Sequence, residues 1–293
     1  MTTAIAAGKP VTARRAPRRR PGGRRRILNT TWGIVAWVAG IVFVFPVIWM
    51  VLTSFKQEQD AASNPPTWFF HPTMDQYSAV FSRDITPFLL NSLMASVFST
   101  LLVIVLATPA AYALSLRPVA KWTDALFFFI STKMLPIVAA ILPIYLLAKH
   151  LGMLDNIWTM VILYTSMNLP LAVWMMRSFL LEVPREVLEA GEVDGAGLIT
   201  SIRKIILPIV SPGLAATALI CFIFAWNEFF LAVNLTATNA GTAPIFLVGF
   251  ITAEGLFLGK LCAAATIVSL PVLIAGWLAQ NKLVRGLSMG AVK

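Results

Sequence analysis

Two ionisable side chains stand inside long apolar runs of the chain, and they are the first candidates for chemistry. Lys133 interrupts the run at about residues 126–148, and Glu228 interrupts the run at about residues 209–235. A charged group at the centre of a membrane span costs about 2.5–3.5 kcal/mol on insertion scales, so each needs a physical reason. One interpretation places both on the path of a solute or at a gate. The other has them pair with each other, or with a partner chain, and hold helices in register.

Three further side chains in the apolar runs have groups that suit a hydroxyl-rich solute. Asn168 and Asn227 carry amide donors and acceptors, and Trp226 has a ring that can stack on a sugar. Amides also bridge helices in lipid, and tryptophan is also a packing residue, so the structural alternative stays open for all three. Together with Lys133 and Glu228, they form the candidate translocation path or gate.

The chain lacks the residue patterns of an enzyme that supplies its own energy. It has no Gly-x-x-x-x-Gly-Lys-Ser/Thr loop to hold phosphates, so we do not expect it to hydrolyse ATP itself. Its two histidines, His71 and His150, are far apart in polar segments, and its two cysteines, Cys221 and Cys262, lie in apolar runs. These four residues do not have the short sequence spacing that is typical of metal ligands. We therefore predict no catalytic centre, no metal and no cofactor held by this chain.

The composition predicts that membrane-spanning helices hold these residues. The chain is 58% hydrophobic and 12% charged, whereas soluble domains carry about 25% charged residues. Six apolar runs are long enough, at about 1.5 Å per residue, to cross a hydrocarbon core of about 30 Å. They lie at about residues 32–52, 88–114, 126–148, 157–179, 209–235 and 261–283. Pro136 and Pro143 are expected to break the third run, and the apolar piece 244–251 is expected to dip into the membrane interface.

The basic residues are unevenly distributed, and this predicts the orientation. Nine of the 23 Lys and Arg lie in the first 26 residues, which contain no acid. With the N-terminus inside, eighteen basic residues fall on the inner side and four on the outer side. By the positive-inside rule, both termini and the loop at residues 181–208 are cytoplasmic. Residues 1–27 are predicted to be a disordered basic tail that contacts anionic lipid rather than nucleic acid, and residues 28–293 to form the transmembrane domain.

A polar stretch, Glu189–Pro208, carries acids, bases and glycines that a membrane span would not tolerate. Pro184 suits the first turn of a short helix before it. The pair Asp194-Gly195 predicts a helix end, because glycine readily adopts the left-handed conformation of a C-terminal cap. Apolar residues at helical spacing then predict a second short helix, and the next span starts at Pro208. The two helices would form a compact knob.

The same stretch resembles the EAA signature of binding-protein-dependent ABC importer permeases. The signature reads Glu-Ala-Ala, three residues, Gly, nine residues, then Ile-x-Leu-Pro. Only its third position differs, where glycine replaces alanine and loosens the helix by roughly 1 kcal/mol. The candidate coupling residues are Glu189, Ala190, Gly191, Asp194, Gly195, Ile205, Leu207 and Pro208. The resemblance implies that residues 181–208, called the coupling loop below, dock on an ATPase, where Glu189 meets a basic residue.

Three other elements resemble those of carbohydrate-uptake permeases similar to the smaller maltose permease subunit. The stretch Ala225–Phe229 looks like their WNEF element, Lys133–Pro136 like their basic-x-x-Pro element, and Gly286–Lys293 like their C-terminal tail. The resemblance implies an all-α integral membrane protein with six transmembrane helices and the type I ABC importer permease (MetI-like) fold. The segments 254–257 and 280–288 look most similar to permeases for linear polyols such as sorbitol and mannitol, so a polyol is the favoured cargo.

The resemblance also implies a set of partners in the cell membrane. The chain would form half of a pore with a second homologous permease subunit. Two ATP-binding subunits would bind ATP and Mg, an external solute-binding protein would deliver the cargo, and membrane lipid would surround the spans. The C-terminal residues expected to contact the ATPase dimer interface are Ala291, Val292 and Lys293.

Two other function classes would use the same charged residues. A channel, or an ion- or proton-coupled carrier, could use Lys133 and Glu228 without an ATPase, but it would not need the coupling loop. A membrane-embedded enzyme would need a convergent set of His, Asp or Ser within the spans, and the spans offer no such set. We therefore predict a permease subunit, with the carrier or channel as the alternative.

Overall fold

The chain is mainly helical in the part that the computed structural model describes. That part comprises the backbone of residues 23–116, 120–252 and 255–291, with side chains between residues 30 and 280. The predicted disordered tail, residues 1–27, falls outside it except for residues 23–27, which are helical and belong to the first helix below. The predicted ATPase contacts at Val292 and Lys293 also fall outside it. In chain order the α-helices are α1 (Gly23–Thr53), α2 (Glu58–Ala61), α3 (Asp75–Ser82), α4 (Thr86–Leu116), α5 (Trp122–Met134), α6 (Ile137–His150), α7 (Ile157–Leu180), α8 (Arg185–Val193), α9 (Leu198–Thr200), α10 (Leu207–Trp226), α11 (Phe230–Leu235), α12 (Ala243–Val248) and α13 (Leu258–Ala291).

Four of these helices, α1, α4, α7 and α13, are each long and apolar enough to cross a membrane. Two bent helix pairs supply one further span each. One pair is α5 with α6, which meet at 87°, and the other is residues 198–209 with residues 211–226, which meet at 83°. Counting each pair as one span gives six in the described residues, in agreement with the hydropathy of the sequence.

The third span is bent at one proline and not at the other. Leu135 and Pro136 have extended backbone between α5 and α6. A residue before proline is disfavoured in the helical region, so α5 ends at Met134 as the sequence predicts. The prediction that Pro143 also breaks this span is wrong, because Pro143 lies inside the continuous helix α6. Prolines are tolerated within membrane helices when neighbouring groups satisfy the freed carbonyl.

The predicted fifth span, residues 209–235, is two helices instead of one. The helix α10 ends at Trp226, three residues follow without helical structure, and α11 continues to Leu235. The following segment contains α12 and a short hairpin, β1 (Ile251–Thr252) and β2 (Gly255–Leu256), which are antiparallel. The apolar piece expected to dip into the interface is therefore mostly the helix α12.

The packed centre of the described residues consists of α4, α7 and α10, with α13 against α10. Small buried residues let these helices approach closely, among them Ala107 on α4 and Ala172 on α7. Gly213 on α10 is the tightest case, because a Cβ atom there would overlap the ring of Phe179 on α7. This close approach packs the last turn of α7 against α10, at the two ends of the coupling loop that joins them.

Candidate coupling surface and translocation path

The coupling loop folds as two short helices around a tight turn. Pro184 is the N-cap of α8, just before its first turn, because its extended backbone leads into Arg185. The helix ends at Val193, and Gly195 has φ +76°, which is the left-handed conformation that the sequence predicts. After α9, a π-helical turn at Ser201–Ile206 leads directly into α10, near whose start Pro208 lies.

The packing around Gly191 accounts for the glycine that replaces the second alanine of the EAA pattern. Its backbone is buried where α8 meets the π-helical turn. A Cβ atom at this position would stand 2.5 Å from Cδ1 of Ile205, which is closer than real side chains approach. The glycine therefore lets Ile205 pack directly against the α8 backbone, and it joins the two short helices.

The outer face of the coupling loop combines exposed acidic and apolar side chains. Glu189 and Ala190 are exposed on α8, as is Asp194 at its end. Ile199 is 71% exposed, and Val193 is 87% exposed. The coupling loop therefore presents a mixed acidic and apolar face, which is the candidate docking surface for a partner protein. Glu189 also lines a groove of about 420 Å³ between α8 and the end of α4.

Lys133 lies at the bend between α5 and α6 and lines a cavity of about 470 Å³. Its Nζ donates to the carbonyl oxygen of Met167 at 3.1 Å and stands 5.7 Å from the ring centre of Phe224. The cavity wall also includes the Ser166 hydroxyl and the side chain of Leu231 from α11. A cation, a hydroxyl and apolar walls suit the mixed polar and apolar faces of a sugar.

Glu228 has a different set of partners. Its carboxylate accepts hydrogen bonds from the backbone amides of Leu231 at 2.7 Å and Ala232 at 3.2 Å. These amides belong to the first turn of α11, where orphan N–H groups attract a negative charge. The structure thus gives Lys133 and Glu228 separate partners and does not bring them together as an ion pair.

The remaining path candidates differ in what they contact. Asn168 is buried, and its Nδ2 lies 3.4 Å from the carbonyl oxygen of Cys221, so it bridges α7 and α10. Trp226 is 2% exposed, and its Nε1 donates to the Val268 carbonyl at 3.1 Å, which bridges α10 and α13. Asn227 is exposed, and its Nδ2 donates to the carbonyl oxygen of Ile223 in the preceding helix α10 at 2.8 Å. Asn168 and Trp226 therefore join helices, and of the five candidates Lys133 lines the cavity.

One residue that the sequence analysis did not select has the densest set of hydrogen bonds among the described side chains. The carboxylate of Asp155, in the loop before α7, accepts from the backbone amides of Ala237, Thr238, Asn239 and Ala240 at 2.8–3.2 Å. The side-chain amide of Asn239 adds a bond at 2.9 Å. Its partners lie more than 80 positions further along the chain, and no local pattern in the sequence indicates them.

These bonds set the protonation state of Asp155. Partial burial alone would raise the pKa of the Asp155 carboxyl, but the hydrogen bonds from Ala237, Ala240 and Asn239 outweigh this effect and lower the pKa below its usual value. A lowered pKa means that the contact is present above the usual carboxyl pKa and is lost only as the pH falls through the folded-state value. The group therefore stays ionised at neutral and mildly acidic pH.

Comparison with known proteins shows the family. Residues 103–285 match the family described as "Binding-protein-dependent transport system inner membrane component". A probable ABC transporter permease protein, y4oR, of Sinorhizobium fredii is 37% identical over 263 residues, which cover 89% of this chain and 95% of that protein. The diacetylchitobiose uptake system permease protein DasC of Streptomyces coelicolor is 32% identical over 275 residues, 92% of this chain and 99% of that protein.

A solved structure shows the same fold. It is the crystal structure of a bacterial ABC transporter involved in the import of the acidic polysaccharide alginate, with a TM-score of 0.70 and 20% sequence identity. The match covers 90% of this chain and 99% of that chain. It confirms the prediction of an all-α, six-span, type I (MetI-like) importer permease fold. The chain therefore belongs to the binding-protein-dependent transport system inner membrane components, the multi-pass permeases of ABC importers, which work with ATPase and substrate-binding partners.

Proposed function

We propose that this chain forms half of the translocation pore of an ATP-driven importer for a sugar or sugar alcohol. The observation that carries the proposal is the coupling loop, which exposes Glu189 beside Val193 and Ile199 on two short helices joined directly to a span. The relative DasC is named for diacetylchitobiose uptake, and the alginate transporter imports a polysaccharide. Both names support a carbohydrate cargo.

The proposed complex contains four kinds of partner. A second, homologous permease subunit completes the pore, two ATP-binding subunits hold ATP and Mg, and an external solute-binding protein delivers the cargo. This chain contributes no ATPase residues and no cofactor. Within the complex, the C-terminal residues Ala291, Val292 and Lys293 remain our predicted second contact with the ATPase.

The proposed orientation puts both termini and the coupling loop in the cytoplasm. The excess of basic residues in the inner segments supports it. The helix α7 has 24 residues and is about 36 Å long at about 1.5 Å per residue. The Asp155 loop precedes α7 and the coupling loop follows it, so they lie at opposite ends of one span. In this orientation, Asp155 faces outward.

Reconstitution tests this function against the alternative. The chain is purified alone and with its permease partner, ATPase and binding protein, and each preparation is placed in vesicles. We expect solute uptake only in the complete complex with ATP and a loaded binding protein. Solute or ion flux through the chain alone, without ATP, would instead favour a channel or carrier.

The narrower cargo is a linear polyol, as the segments 254–257 and 280–288 suggest. A calorimetric screen of the partner binding protein against hexitols, monosaccharides and disaccharides tests this choice. Binding of a disaccharide with no response to hexitols would exclude the polyol and leave the sugar importer in place.

A further inference from the structure

The loop at residues 236–242, called the outer loop below, is held together with its last flanking residue, Ala243, by side chains from two other elements. Asp155 binds four successive backbone amides from one side. Asn91, on α4, donates from its Nδ2 to the carbonyl oxygens of Asn239 at 2.8 Å and Gly241 at 3.0 Å. Beside it, the buried Ser92 hydroxyl accepts from the amide of Ala243 at 2.8 Å. The backbone of the outer loop is therefore fixed by side chains from two other elements.

The tip of the outer loop is nevertheless exposed. The residues Ala237, Thr238 and Asn239 are exposed, while Ala240 and Gly241 behind them are buried. Because the backbone amides at the tip are already bonded to Asp155, the tip presents its side chains in a fixed arrangement. A loop that is both exposed and ordered before binding loses less conformational freedom when a partner docks.

The backbone at Asp155 is adapted to this role. The peptide N–H of Asp155 donates to the carbonyl oxygen of Leu235 at 2.9 Å, and its φ is +53°. This left-handed conformation is rare for residues other than glycine, asparagine and aspartate. It turns the carboxylate toward the outer loop, so the same residue binds the end of α11 and the loop that follows it.

We infer that Asp155 is a positioning residue that holds the outer loop in the shape that the substrate-binding partner recognises. The inference rests on the proposed function and orientation, which put the outer loop on the side where that partner arrives. The Asp155 carboxylate bonds to the outer loop, and it lies at the opposite end of α7 from the coupling loop. Its expected effect is therefore specific to the docking step.

The substitution Asp155→Asn isolates the carboxylate. Asparagine keeps the size of the side chain and tolerates the left-handed backbone, but it turns an NH₂ group toward amide donors. The matched control is Asp84→Asn, because Asp84 is exposed and has φ +52°, and the hydrogen bonds found among the described residues do not include its carboxylate. Both variants are made in the complete complex, in vesicles.

The measurement is the ATPase rate of the complex as a function of the concentration of loaded binding protein. We expect Asp155→Asn to raise the concentration for half-maximal stimulation by about fivefold or more, with the basal and maximal rates near those of the wild type. Asp84→Asn should leave all three values unchanged. An unchanged half-maximal concentration in Asp155→Asn would overturn the inference, as would an equal fall in basal rate, maximal rate and thermal stability.

A second variant covers the case in which Asp155→Asn does not assemble. Thr238→Arg changes an exposed side chain at the tip and leaves the Asp155 bonds to the backbone in place. A raised half-maximal concentration with unchanged thermal stability would support the docking surface, and no change would refute it. If even the wild-type complex shows no stimulation by a binding protein, the proposed function fails first, and that result is distinguishable from a failure of Asp155.

Discussion

Three charged side chains in this chain form hydrogen bonds with backbone groups of nearby segments. Glu228 binds the first amides of α11, and Asp155 binds amides in the outer loop. Lys133 acts as a donor instead, and its Nζ binds the carbonyl oxygen of Met167. Backbone groups without a partner are costly away from water, so these side chains stabilise the breaks between helices and the outer loop.

The separate partners of Lys133 and Glu228 give a quantitative prediction. In the complete complex, the losses in stability from Lys133→Met and Glu228→Gln should add in the double variant within about 0.5 kcal/mol, as for sites that share no contact. Thermal or denaturant unfolding of the wild type and the three variants in one detergent measures the cycle. If the double variant is more stable than the less stable of the two single variants, the two charges meet during the transport cycle.

Glu189 gives a prediction about coupling. We expect Glu189→Lys to uncouple ATP hydrolysis from uptake, because the proposed charge-assisted contact of Glu189 with a basic residue of the ATPase would become a repulsion. Uptake and ATPase rates of the reconstituted complex are measured together. Glu186→Lys is the control, since Glu186 is exposed on the same helix but lies outside the EAA pattern. Normal, substrate-stimulated coupling in Glu189→Lys would contradict the docking role.

At the scale of the elements, the contact between α7 and α10 depends on Gly213. Gly213→Ala should destabilise the chain by about 1–3 kcal/mol, because the new methyl group overlaps the Phe179 ring and the helices must separate. Adding Phe179→Ala should restore part of the loss. Gly276→Ala is the matched control, since Gly276 lies within the helix α13 and a Cβ atom there would meet nothing within 4 Å. Equal melting temperatures for Gly213→Ala and the wild type would refute the tight packing.

The elements also show what a sequence can predict. Hydropathy and charge indicate the spans. Pro136 marks a break, because proline restricts the backbone conformations of its neighbourhood, and Gly195 marks a helix end, because glycine can adopt a positive φ. The sequence does not predict the break between α10 and α11, because Glu228, which binds the first amides of α11, lies within a mainly apolar run. Asp155 was missed because its partners are distant in sequence. Local chemistry is readable from the sequence, whereas contacts between distant segments are not.

At the scale of the whole molecule, the orientation remains a prediction that labelling can test. In a variant whose native cysteines Cys221 and Cys262 are replaced by alanine, single cysteines are placed at Ser63 or Thr200. An impermeant thiol reagent added to intact cells should label the cysteine at Ser63 only, and it should label the one at Thr200 after the membrane is opened. Labelling of both from outside would refute the proposed topology.

A sharp bend within the first turns of α10 divides the segment from residue 198 to residue 226 into two arms. Residues 198–209 form one arm and residues 211–226 form the other, at 83° and with no flexible loop between them. The first arm has twelve residues, so it is about 18 Å long, and turning it by about 6° displaces its free end by about 2 Å. In the proposed complex, we expect a sideways push by the ATPase on the first arm to turn the second arm at the bend. The direction of movement would then change between the coupling loop and the apolar part of α10.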